Sequence, residues 1–89
     1  MSEAAAADAE PGRELYVRHA RRDGRSIAVL RAIDKGDGCV VEAEVWPSDD
    51  PHSAVHAGPY TFPSPVEATR FVTHAVEALI ALGCDVRAS

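Results

Sequence analysis

Two runs of β-forming residues, Leu15 to Arg22 and Arg25 to Ile33, are separated only by Asp23-Gly24. A connection this short closes an antiparallel hairpin through a type I′ turn, because Asp and Gly tolerate the positive φ that both central positions require. It also fixes the register. Counted outward from the turn, Arg22 faces Arg25, Ala20 faces Ile27, Arg18 faces Val29, Val17 faces Leu30 and Tyr16 faces Arg31. Leu15, Val17, His19, Ala28, Leu30 and Ala32 then share the side expected to form the core. Tyr16, Arg18, Ala20, Arg22, Arg25, Ile27, Val29 and Arg31 share the other.

A third strand follows the turn chemistry of Asp34-Lys35-Gly36-Asp37-Gly38. From Cys39 to Trp46 the residues alternate, and only one pairing keeps both glutamates out of the core. If Asp34 opposes Cys39, then Val41, Ala43 and Val45 join the core side, while Val40, Glu42, Glu44 and Trp46 face outward. A slip of one residue would bury two carboxylates without partners, which costs several kcal/mol each, on the order of the whole stability of a small domain. Pro47 ends the strand and a polar, proline-punctuated loop occupies 47–56. The stretch 57–62, which contains Pro59, suits an edge strand with Tyr60 and Phe62 on one side.

The helix carries the clearest local signature. Ser64 as N-cap, Pro65 in the first turn and Glu67 three residues after the serine form a capping box, and Gly83 supplies the stop. Between them Ala68, Phe71, Val72, Ala75, Val76, Leu79 and Leu82 recur at helical spacing and make one apolar stripe. The expected fold is therefore α+β: an antiparallel meander of three to four strands, about 14–22, 25–34, 39–46 and 57–62, packed on one C-terminal helix at about 65–82. Residues 85–87 are too short to assign. Residues 1–12 hold no large apolar side chain after Met1 and read as a disordered tail before a single domain at 13–89.

Eighty-nine residues bury only about 60 % of the unfolded surface, so a fold of this size gains from added contacts. Cys39 and Cys84 lie far apart in sequence, with no CxxC spacing, and read as reduced thiols. No apolar run approaches the roughly 20 residues of a membrane span, and the N-terminus lacks a basic segment followed by an apolar one, so a cytoplasmic location is expected. Net charge is −5, against general nucleic-acid binding, although seven of the nine basic residues fall between Pro11 and Lys35.

Few side chains suggest chemistry. His52 and His56, with Asp49 and Asp50 upstream, could hold a metal only on a helix, and Pro51 in a loop opposes that, so no metal site is expected. Gly36-Asp37-Gly38 joins two strands and is a turn, not a phosphate loop. His19 and His74 have no nucleophile or carboxylate at a defined spacing. Cys84 follows a helix C-terminus, where the dipole disfavours a thiolate. No catalytic residue, cofactor or enzymatic activity is expected.

The second sheet face carries the remaining signal. In the counted register Tyr16, Arg18, Ile27, Val29, Arg31, Val40 and Trp46 form one apolar area rimmed by charge, the composition of a protein interface used in self-association or for a protein partner. A rival reading takes Arg18, Arg22, Arg25, Tyr16 and Trp46 as a platform for single-stranded nucleic acid. Arg31 opposite Glu42 would neutralise the middle of such a platform.

Overall fold

In the computed structural model, which describes residues 12–48, 50 and 52–88, Asp23 and Gly24 have φ of 54° and 79°, and Arg22 pairs with Arg25. The turn is the one the dipeptide demands. It joins β1 (Arg13–Arg22) to β2 (Arg25–Asp34), followed by β3 (Cys39–Val45), β4 (Val55–Phe62), α1 (Pro65–Ala81) and β5 (Asp85–Ala88). All five strands form one antiparallel sheet in the order β4-β3-β2-β1-β5. The architecture is the expected α+β meander under a helix, with β5 added at the edge beside β1. The expected tail lies almost wholly outside the described residues.

The β2/β3 pairing follows the expected register throughout, from Asp34 opposite Cys39 to Ala28 opposite Val45. Its loop is held by the Asp34 carboxylate, which accepts from the Gly36 N–H at 2.9 Å. The β1/β2 pairing does not. Beyond Arg21 opposite Ser26 the ladder skips Ile27, so Ala20 pairs with Ala28, Arg18 with Leu30, Val17 with Arg31 and Tyr16 with Ala32. A second irregularity skips Leu15 on β1 and restores the original phase at Glu14 opposite Ile33. Each bulge adds one residue to one strand, and the two cancel only at the ends of the hairpin.

Between the bulges every β1 side chain changes face. Tyr16, Arg18 and Ala20 lie on the side covered by α1, and Val17 and His19 on the open side, the reverse of expectation. The packing shows why this phase wins. The bulge brings Ile27 as well as Ala28 against a cluster formed by Ala20, Ala28 and Cys84, where Leu79 and Val86 also pack. Ala20, only 1 % exposed, is small enough to lie where the chain leaving α1 crosses to β5.

That crossing is set by the helix end. The Gly83 N–H donates to the Ile80 carbonyl at 2.9 Å and the Cys84 N–H to the Leu79 carbonyl at 3.0 Å, with Gly83 at φ 93°. This is a Schellman closure, and the glycine takes the left-handed conformation it needs. It turns the chain back onto the β1 edge, where Val86 pairs with Ala20. Leu82, expected in the apolar stripe, is the C-cap residue and is exposed. At the other end the Ser64 hydroxyl accepts from the Glu67 N–H, as the capping box requires.

The main core lies between α1 and strands β2 and β3: Leu30, Ala32, Cys39, Val41, Ala43, Ala68 and Val72, with Tyr16, Phe62 and Phe71 packed against it. The ring of Phe71 stands 5.1 Å from Tyr60 and 5.3 Å from Phe62, closing the β4 side. Among the described residues, seven of the eleven buried apolar ones are alanine or cysteine, so the core is thin. A buried valine or leucine contributes about 1.5–3 kcal/mol and an alanine methyl roughly 0.8.

The phase of β1 is testable. Ala20→Leu overpacks the second cluster and lowers stability in urea by about 1–3 kcal/mol. His19→Leu, on the open face, changes it by no more than about 0.5 kcal/mol at low protein concentration. The reverse order would match the unbulged register.

Candidate interface on the outer sheet face

With α1 on one side, the opposite sheet face has no described element packed across it. Its rows follow from the pairings. Thr61, Val40, Ile33 and Glu14 cross one end of the sheet; Glu42, Arg31 and Val17 form the next row; His56, Glu44, Val29, His19 and Arg87 form the third. Val29, Ile33 and Val40 are half-buried. Val17 is 6 % exposed yet belongs to neither cluster under the helix, as its place on the open face requires.

Charge of both signs lies on this face, with Glu14 on β1, Glu42 and Glu44 on β3 and Asp85 on β5 among the carboxylates. On β3, Glu44 has the imidazole of His56 at 3.6 Å, and Glu42 has no ion pair among the described residues. Arg31 lies opposite Glu42 in the ladder, but its guanidinium contacts Glu14 at 3.2 Å. On the far side Arg87 contacts Asp85 at 2.9 Å, while His19 and Arg21 have no such partner among the described residues. Exposed pairs of this kind contribute roughly 0–1 kcal/mol each to holding the fold. A shallow depression of about 110 Å³ lies between Val29, Arg31, Glu42, Glu44 and His56.

Of the residues singled out from sequence, Val29, Arg31 and Val40 lie on this face. Tyr16 and Arg18 do not. The Tyr16 hydroxyl hydrogen-bonds the Thr69 hydroxyl of α1 at 3.0 Å, and the Arg18 guanidinium stands 4.7 Å over the Tyr16 ring while donating to the Val17 carbonyl. Ile27 is the bulge residue and packs with the second cluster. Trp46 follows β3, is half-buried, and donates its backbone N–H to the Ile27 carbonyl at 2.9 Å.

The arginine and aromatic set is therefore divided. Arg22 shares the phase of Ala20 and passes beside Gly83 at the helix end, and it pairs with Arg25 across the turn, away from the open face. Bases stacking on a sheet need aromatic and cationic groups on one surface, and Tyr16, Arg18 and Arg22 lie on the α1 side of this one.

The loop histidines are also separated. The His52 N–H donates to the Asp50 carboxylate at 2.9 Å in a tight turn, whereas His56 is part of β4; Asp49 lies outside the described residues. Among the described residues no three His, Cys, Asp or Glu side chains converge as a metal would require. His74 lies on the exposed side of α1, 3.7 Å from Glu77. Cys39 and Cys84 are free, buried thiols in separate clusters. Burial pushes the Cys39 thiol above its ordinary value, and the Asp34 carboxylate adds to the shift. No helix among the described residues is long and apolar enough to cross a membrane.

His19, His56, Thr61 and Arg87 escaped the sequence reading of this face. The first was hidden by the bulge. The composition of 47–56 places His56 in a loop, and no periodicity marks 85–88 as a strand. Comparison with known proteins finds no matching family model and no curated protein or solved structure of significant similarity.

The Cys39 thiol has a pH consequence. Its folded pKa lies above the unfolded value, so its contribution to stability is complete below the ordinary thiol range and is lost as pH rises through the folded value. Stability should decline as pH rises through and above the ordinary thiol range, less steeply in Cys39→Ala, as read from urea midpoints. Equal slopes would contradict the burial argument.

Proposed function

We propose that the chain is a non-enzymatic binding module whose contact surface is the outer sheet face. The observation that carries this reading is the juxtaposition of Ile33 with Val40, and of Val29 beside Val17, on a face that no described element covers. Apolar side chains on either side of a central Arg31, with carboxylates and basic groups among them, have the mixed apolar and charged composition of a protein interface.

The titratable groups of the face support recognition better than chemistry. Arg31, Glu44 and Arg87 each have a neighbour of opposite charge, and no nucleophile stands among them. Such groups orient a partner and reject like-charged ones.

A photo-crosslinking benzoylphenylalanine in place of Val29 should give discrete adducts in cells producing the protein, whereas the same probe in place of Arg70, on the exposed side of α1, should give few. Equal yields from both positions, or none from the sheet, would remove the reading.

A further inference from the structure

We draw no further inference here: the strongest candidate, the half-buried apolar patch of Val29, Ile33 and Val40 on the open sheet face, belongs to the surface already described, and nothing in the structure shows what covers it.

Discussion

Ile27 occupies a place in β2 for which β1 has no residue, and the distribution of side chains over half the sheet depends on that surplus. By advancing the ladder one position it turns Ala20 and Arg18 toward α1 and sends Val17 and His19 to the open side. Without it the chain leaving the helix would cross over His19 instead of Ala20, and an imidazole would need a hydrogen-bond partner in a cluster otherwise made of Ala28, Cys84 and apolar neighbours. The irregularity in the ladder is the condition for a tight crossing to β5. The second bulge, at Leu15, then restores the phase so that Arg13 approaches Asp34, at 3.6 Å, where the hairpin opens.

The same features explain which parts of the fold were legible in the sequence. The β2/β3 register could be read because the alternatives differ greatly in energy: a slip of one residue would bury Glu42 and Glu44. The helix could be read because Ser64, Pro65, Glu67 and Gly83 mark its ends independently of packing. In β1 the two phases are close to balanced. One offers Leu15 and Val17 with a histidine, the other Tyr16 and Ala20 with an arginine whose guanidinium can lie over the tyrosine ring at the margin of the helix. Neither leaves a buried charge unpaired, so residue types alone do not decide between them. The decision comes from β5 and the helix end, contacts more than sixty residues away in sequence.

The candidate interface was legible to the same extent. Val29, Arg31 and Val40 belong to strands whose register was strongly constrained, and they lie where the alternation puts them. Tyr16 and Arg18 depended on β1 and moved with it, taking most of the aromatic and cationic character off the open face. The face that remains is less suited to nucleic acid than the sequence suggested, because carboxylates are distributed over it: Glu14 on β1, Glu42 and Glu44 on β3, and Asp85 on β5.

Thin packing under the helix gives the open face its significance. A core in which alanine and cysteine predominate lets α1 approach the sheet closely, but each such residue removes little apolar surface from water. Leu30 and Val41 of the sheet and Val72 of the helix are the largest buried side chains between the two layers, while Val29, Ile33 and Val40 on the other face are only half-buried. The larger β-branched residues are thus divided between the two faces of the sheet. Covering that side would add apolar burial where the chain alone has none to offer. The bulge that narrows the core for the helix thereby also supplies His19 to the open face, opposite the column that carries Glu44.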